Sequence, residues 1–158
     1  MSVIILNWNR KNDVSETLAR LRLQTFKNFE TLVVDNASND GSVSYFRKNF
    51  PETKVLPLKK NYALFGFNLA MEKARGKYFL HLASDAMLAN NVIEKHIKKL
   101  EANPNLGVSC ATTYEWRTKR YLAPNRAIKG DNKRGYKVTY FDGNGICLRR
   151  EVFEKVGG

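Results

Sequence analysis

Hydrophobic and polar positions follow two patterns that alternate along the chain. Short continuous apolar runs are typical of strands that are buried on both faces. Five such runs lie at residues 2–6, 31–34, 55–58, 77–82 and 106–113. Apolar positions at helical spacing lie between the runs and predict amphipathic helices. These helices are predicted at 13–25, 43–50, 63–75 and 92–100.

The alternation of strands and helices with short connections predicts an α/β fold. We expect a doubly wound, mainly parallel central sheet of Rossmann-like type, whose ligands bind outside the carboxyl ends of the strands. Gly76 follows the helix at 63–75 and is predicted to take the left-handed position after its last turn. The regular alternation stops beyond Tyr114. We expect a long loop or irregular hairpin at about 115–137, strands at 138–141 and 146–148, and a helix at 151–156.

Length and composition fit one folded domain over residues 1–158. The first apolar run is too short to span a membrane and has no basic leader, which predicts a cytoplasmic protein. Cys110 and Cys147 lie in apolar, strand-like stretches where cysteine packs as a small hydrophobe, so both are predicted to be reduced. The formal net charge of +12 predicts attraction to phosphates on nucleotides, nucleic acids or lipids.

Polar residues follow three of the predicted strands at the point where each strand ends. They are Asn7 and Asn9, Asp35 and Asn36, and Ser84 and Asp85. Asp35 can accept hydrogen bonds from a base or ribose, and its structural alternative is a turn residue or helix cap. Asp85 offers hard oxygen to a divalent cation, and its structural alternative is the N-cap of a following turn. Since Asp85 follows an apolar run, we expect it to be deep enough to need a partner.

Five segments stand out in sequence order. They are Ser-Val-Ile-Ile-Leu-Asn-Trp-Asn9, Val-Val-Asp35-Asn-Ala-Ser-Asn-Asp-Gly-Ser42, the stretch from Asn61 to Asn68, Gly76-Lys-Tyr-Phe-Leu-His-Leu-Ala-Ser-Asp85, and Asp142-Gly-Asn-Gly-Ile-Cys-Leu-Arg-Arg-Glu-Val-Phe-Glu-Lys-Val-Gly-Gly158. Together they resemble the successive motifs of the family 2 glycosyltransferases over essentially the whole chain. The resemblance implies a GT-A fold, a nucleoside-diphosphate sugar donor such as a UDP-sugar, Mg²⁺ or Mn²⁺, a carbohydrate or lipid-linked acceptor, and inversion at the anomeric carbon.

The resemblance also implies roles for individual residues. The first-strand loop and Asp35 would hold the nucleoside, while Asp85, the last acid of an Asp-x-Asp motif, would hold the metal. That metal would neutralise the departing diphosphate. The implied nucleotide-sugar-binding residues are Asn7, Trp8, Asn9, Asp35, Asn61, Asn68, Ser84, Asp85, Gly143 and Asn144.

The sequence departs from the family pattern in two places. Ala83 and Ser84 stand where many relatives carry acids, so phosphates and waters would complete the metal shell around Asp85. In the family, the carboxylate base for the acceptor hydroxyl lies downstream of the Val-Gly-Gly segment at which this chain stops, and Asp142 is the one nearby substitute. A non-catalytic nucleotide-sugar binding module therefore stays open as an alternative to an inverting enzyme.

The histidines and tryptophans have structural as well as functional interpretations. His81 lies four residues before Asp85, but in a predicted strand, so a core position is favoured over a shared metal. His96 lies on the apolar stripe of its helix and is predicted to be a core histidine. Trp8 and Trp116 can stack on a base or sugar, or pack in the core.

A basic segment at 117–137 carries eight cations and a single acid, Asp131. The cations are Arg117, Lys119, Arg120, Arg126, Lys129, Lys133, Arg134 and Lys137. Interleaved aromatic residues make nucleic-acid binding an alternative, but none of the familiar recognition motifs is present, so no nucleic acid is expected. We hypothesise a solvated arm that guides a phosphate-bearing acceptor, or the inner face of an anionic membrane, towards the binding edge.

The arm hypothesis predicts salt-sensitive binding to anionic vesicles. Each cation near such a surface contributes about 1 kcal/mol, so several together recruit a protein reversibly. Vesicle sedimentation should show binding that requires anionic lipid, falls with salt and disappears when Arg117, Lys119, Arg120 and Arg126 are neutralised. Binding that is indifferent to lipid charge would refute the hypothesis.

Overall fold

A computed structural model describes residues 1–111, 114–115, 120–121, 127–131, 135–138 and 145–157. The predicted strand residues 139–141 and Trp116 lie outside the described residues. The strands are β1 Ser2–Asn7, β2 Glu30–Asp35, β3 Thr53–Pro57, β4 Tyr78–Leu82, β5 Val108–Cys110, β6 Tyr114–Glu115, β7 Arg120–Tyr121, β8 Ala127–Asp131, β9 Gly135–Val138 and β10 Ile146–Arg149. The helices are α1 Lys11–Arg22, α2 Ser42–Asn49, α3 Gly66–Met71, α4 Val92–Glu101 and α5 Arg150–Val156, with a 3₁₀ turn at Ala63–Phe65.

Six strands form the central sheet in the order β3-β2-β1-β4-β10-β5. β1 pairs in parallel with β2 and β4, and β2 pairs in parallel with β3. β10 enters between β4 and β5 and is antiparallel to both. The predicted doubly wound, mainly parallel α/β sheet is therefore confirmed, with one antiparallel strand inserted into it.

Both faces of the sheet are buried because successive side chains of each strand point to opposite sides. Val3 and Ile5 of β1 pack with α1, α2 and α4 on one face. Ile4 packs with α3 on the other face, where Phe153 of α5 also joins the core. This two-sided burial is why the strands appear in the sequence as continuous apolar runs.

The basic segment contributes two small antiparallel ladders outside the central sheet. β6 pairs with β7, and β8 pairs with β9 with a register shift near its start. The long loop or irregular hairpin expected at about 115–137 stays a prediction, because part of that stretch lies outside the described residues. Among the described residues, no helix is both long and apolar enough to cross a membrane.

Cys147 and His96 are buried as predicted, whereas Cys110 is partly buried. Neither Cys110 nor Cys147 forms a disulfide, and burial raises the pKa of the Cys147 thiol to about 12. His96 is buried, with Nδ1 3.0 Å from the Ser109 hydroxyl oxygen. Burial, with a smaller contribution from Lys99, lowers the pKa of His96 to about 4, so the imidazole is neutral near pH 7.

The helix predicted at 63–75 is shorter than expected. Residues 63–65 form a 3₁₀ turn, and Leu64, an apolar residue within the predicted helix, is 74% exposed. The α-helix begins only at Gly66, where an added Cβ would lie 2.7 Å from Leu6 Cδ1. The close approach of α3 to β1 thus takes precedence over the local helical pattern, which cannot register a contact with a distant strand.

The prediction of a left-handed conformation for Gly76 is wrong. Its φ lies outside the positive range, so backbone conformation does not explain why a glycine stands here. A Cβ at position 76 would lie 2.5 Å from the backbone nitrogen of Ser2, and the Gly76 N–H donates to Ser2 Oγ at 2.8 Å. Gly76 lets the chain pass against the start of β1.

Replacing Gly76 by alanine should destabilise the fold by about 1–3 kcal/mol, because the new methyl group meets backbone atoms that cannot rotate away. Urea unfolding measures the change. Gly41→Ala is the matched control, since Gly41 faces open space and its φ of 77° adds only a conformational cost. If Gly76→Ala were stabilising, as glycine replacement at an ordinary φ usually is, the close-approach explanation would fail.

Candidate functional site

The carboxyl ends of β1, β2 and β4 bring three loops to one edge of the sheet. Asn7 and Asp35 are direct partners in the parallel register of β1 and β2, so these two strands end at the same level. The loops that follow the three strands are 8–10, 36–41 and 83–91. Segment 58–65, which follows β3 and leads into α3, adds a fourth.

A buried hydrogen bond joins the ends of β1 and β2. Asn7 Nδ2 donates to Asp35 Oδ2 at 2.6 Å. Asp35 Oδ1 accepts the Ser38 backbone N–H at 2.9 Å, which makes the turn after β2. Asp35 is only 1% exposed, and a carboxylate at such depth must be hydrogen-bonded. Asp35 therefore acts as a turn residue. A ligand contact would use the lone pairs of its carboxylate that these two hydrogen bonds leave free.

Further bonds tie the loops after β1 and β2 to each other. Ser38 Oγ accepts the Asn9 backbone N–H at 2.9 Å and a bond from Asn7 Nδ2 at 3.2 Å. Asn9 Oδ1 accepts the Asn39 N–H at 2.8 Å. Asn7 and Asn9 thus act first as cross-links between loops. Sequence reasoning did not single out Ser38, although it lies in the turn-rich stretch that follows Asp35.

The loop before α3 is held by amide side chains. Asn36 Nδ2 donates to the Ala63 carbonyl at 3.1 Å, and Asn61 Oδ1 accepts the Ala63 N–H at 2.7 Å. Asn61 is exposed, whereas Asn68 is half-buried on α3. The structure therefore places Asn36 and Asn61 beside the loop after β2, with Asn68 one helical turn farther along.

Of the residues that the structure describes, three other than glycine have a positive φ, and each lies in a different loop of this edge. They are Asn9 at 52°, Ala37 at 61° and Ala63 at 48°. This left-handed region is unfavourable for alanine, and such strain clusters at binding and catalytic sites. Their concentration here indicates that the loop shapes are imposed by the contacts around them.

Asp40 links the loop after β2 to the start of α1, and sequence reasoning missed it. Its Oδ2 accepts the Lys11 backbone N–H at 3.1 Å, and its Oδ1 accepts the Ser42 N–H at 3.0 Å. Burial opposes the ionisation of Asp40, but hydrogen bonds from Ser42 and the Lys11 backbone outweigh it and lower the pKa of the carboxyl group. The acid therefore stays charged and fixes where α1 begins.

Asp85 lies in the middle of a tight turn just beyond β4. The turn is closed by the Ala86 N–H, which donates to the Ala83 carbonyl at 3.3 Å. Contrary to expectation, Asp85 is exposed, and its carboxylate has no hydrogen bond or ion pair with the described residues. The chain turns outward at once after β4, which the apolar run before Asp85 does not reveal. Asp85 is also no helix cap, since α4 begins at Val92.

A single free carboxylate at the edge fits a cation that takes its other ligands from phosphates and water, as Mg²⁺ does. The part of the chain that the structure describes contains no cluster of three or more histidine, cysteine, aspartate or glutamate residues able to hold a metal. The Ser84 carbonyl accepts the Thr17 hydroxyl at 2.9 Å from the buried side of the turn, so it faces α1. The protein share of a metal site here would thus rest on Asp85.

His81 and Trp8 have clear but opposite environments. His81 stacks on Phe67 at 4.4 Å between ring centroids, and its Nε2 lies 3.2 Å from Met71 Sδ. Burial lowers the pKa of His81 to about 4, so the ring is neutral and packed in the core as predicted. Trp8 is 57% exposed beside Asn7, which excludes the core alternative. Gly143 and Asn144 lie outside the described residues, as does Asp142.

The family of the chain follows from comparison with known proteins. The model of glycosyl transferase family 2 matches residues 2–157. The chain belongs to this family. The assignment confirms the resemblance that the motifs from Asn7 to Asp85 carry.

Known relatives share part of their length with this chain. An uncharacterised glycosyltransferase of Haemophilus influenzae is 25% identical over all of this chain and 55% of the relative. The Escherichia coli protein WfaP, named a UDP-Glc:α-D-GlcNAc-diphosphoundecaprenol β-1,3-glucosyltransferase, is 29% identical over 64% of this chain and 41% of its own. The chain thus spans about half of these relatives.

The mannosyltransferase PcManGT of Pyrobaculum calidifontis, solved in complex with GDP-Man and Mn²⁺, superposes with a TM-score of 0.74. The match has 22% sequence identity and covers 99% of this chain and 46% of that one. At this identity the likeness shows the fold, which is the GT-A type implied by the family.

Proposed function

We propose that this chain is the donor-binding portion of an inverting, metal-assisted glycosyltransferase that moves a sugar from a nucleoside-diphosphate sugar to an acceptor hydroxyl. The observation that carries the proposal is the convergence of the loops bearing Asn7, Asp35 and Asp85 on one edge of the sheet, in a chain of family 2. Parallel α/β sheets bind nucleotides at such an edge.

The nucleoside is assigned to the loops after β1 and β2. Asn7 and Asp35 form the floor of this region through their 2.6 Å bond, and Trp8 stands exposed beside them. An exposed aromatic ring next to fixed polar groups suits a flat base, with Asn9 and Asn61 on the neighbouring loops near the ribose and phosphates.

The diphosphate is assigned to the turn after β4. Asp85 would hold Mg²⁺ or Mn²⁺ there, and Ser84 lies next to it in the same turn. When bound, the cation supplies positive charge that stabilises the leaving diphosphate. The structure of PcManGT with GDP-Man and Mn²⁺ supports a divalent cation in a protein of this fold.

The acceptor hydroxyl must lose its proton as it attacks the anomeric carbon from the side opposite the diphosphate. The family resemblance places the carboxylate base downstream of the Val-Gly-Gly segment, and Asp142 is the substitute that the chain itself offers. The name of WfaP, with its UDP-Glc donor and diphosphoundecaprenol acceptor, supports a UDP-sugar and a lipid-linked acceptor here too. Such an acceptor would place the protein at the inner face of a membrane.

Asp85→Ala should abolish the enhancement of nucleotide binding by metal, because it removes the one protein carboxylate assigned to the cation. Calorimetric titration with UDP and GDP, with and without Mn²⁺, measures the enhancement. Glu16→Ala is the matched control, since Glu16 is an exposed acid of α1 and should leave it intact. If Mn²⁺ enhanced nucleotide binding equally in Asp85→Ala and in the unsubstituted protein, the assignment of Asp85 as the metal ligand would be wrong.

Asp35→Ala should weaken free UDP and a UDP-sugar by the same factor, about tenfold, because a hydrogen bond to a charged group is lost at the nucleoside rather than at the sugar. The two affinities are measured in parallel, and thermal unfolding checks that the variant is folded at the temperature used. If only the sugar nucleotide lost affinity, Asp35 would belong to the sugar pocket instead.

A further inference from the structure

The turn that carries Asp85 is held from its buried side by α1. Thr17 is fully buried in the middle of α1, between the apolar residues Val14 and Leu18. Its hydroxyl oxygen lies 2.9 Å from the Ser84 carbonyl oxygen and 3.3 Å from that of Ala86. These two carbonyl groups flank Asp85 in the chain.

The Thr17 contact differs from the usual behaviour of a hydroxyl inside a helix. Serine and threonine there commonly donate to the carbonyl four residues earlier, and Ser15 of the same helix does so, to Lys11 at 2.6 Å. Thr17 instead donates across the interface between α1 and the turn. A β-branched residue is slightly unfavourable within a helix, so the tertiary bond gives threonine a reason to occupy this position.

Other contacts with the end of α1 hold the remainder of the segment. Gln24 is fully buried; its Nε2 donates to the Ala89 carbonyl at 2.9 Å and its Oε1 accepts the Ile93 N–H at 3.2 Å. The Thr25 N–H donates to the Asn90 carbonyl at 2.7 Å. Segment 84–93 is thus anchored to α1 at one end, through Thr17 near Asp85, and to residues just beyond α1 at the other.

We propose that Thr17 is a positioning residue for Asp85, fixing the turn so that the carboxylate meets the cation and diphosphate without first having to be ordered. The exposed Asp85 makes no bond of its own to the described residues, so its location is set by the backbone of the turn. The Thr17 hydroxyl has one proton, which the carbonyl groups of Ser84 and Ala86 share. Removing the hydroxyl leaves both carbonyl groups without this donor. The inference rests on the proposed metal role of Asp85.

Thr17→Val tests the proposal because valine keeps the branched shape of threonine but has a methyl group in place of the hydroxyl. We expect it to reduce the Mn²⁺ enhancement of UDP or GDP binding about fivefold, as expected for one lost hydrogen bond, while metal-free affinity is unchanged. Thr17→Ser keeps the hydroxyl and should retain the enhancement. Thr25→Val, which removes a hydroxyl bonded to Glu94 at the far end of the segment, is the matched control and should behave like the unsubstituted protein.

Hydrogen exchange of the metal-free protein gives a second readout. Amides of residues 84–89 should exchange faster in Thr17→Val than in Thr17→Ser, with β1 and β2 unaffected. If Thr17→Val does not fold, Thr17→Ala provides the variant without the hydroxyl. Unchanged exchange and unchanged Mn²⁺ enhancement would overturn the proposal.

The experiment separates failure of this inference from failure of the proposed function. If Asp85→Ala loses the Mn²⁺ enhancement but Thr17→Val does not, Thr17 has no positioning role and the metal assignment stands. If the unsubstituted protein itself shows no Mn²⁺ enhancement, the metal role of Asp85 is wrong, and so is the proposal that Thr17 positions Asp85 for a cation. Exchange rates then report only whether Thr17 holds the turn.

Discussion

The hydrogen bond between Asn7 and Asp35 is the interaction on which the binding edge depends. It joins the last residues of two parallel strands inside the protein, where an unpaired carboxylate would be strongly unfavourable. Through Ser38 the same two side chains hold the loops after both strands. Removing either partner would leave a buried polar group unsatisfied and weaken the anchoring of the loops, which other bonds such as Asn9 to Asn39 would still join.

A second constraint comes from α1, which supports the edge from below. Its apolar stripe buries the helix against the sheet, while Thr17 within the stripe and Gln24 just past its end bond to the segment that carries Asp85. Within the part of the chain that the structure describes, the edge is hydrogen-bonded on its buried side, while Trp8 and Asp85 are exposed on its outer side. That combination suits a site whose ligands bring phosphate oxygens and whose cation needs one fixed carboxylate.

Local patterns predicted the strands and most of the helices because two-sided burial and helical spacing leave strong periodic signals. They failed where a distant contact overrides the local preference. Leu64 fits a helical stripe but is exposed, since the backbone has a positive φ at Ala63 and forms a 3₁₀ turn before α3. Gly76 follows the pattern of a helix-terminating glycine. The structure shows instead that a side chain at this position would collide with Ser2.

The sequence by itself determined the α/β class, the family, and which polar residues follow each strand, since these depend on residue type and order along the chain. Only the tertiary structure decided how those residues are used: Asn7 and Asp35 bond to each other, while Asp85 is exposed and unbonded among the described residues. Thr17 gained its partners in the same way, 67 and 69 residues away in the chain. Contacts of that range arise from packing, and no local periodicity encodes them.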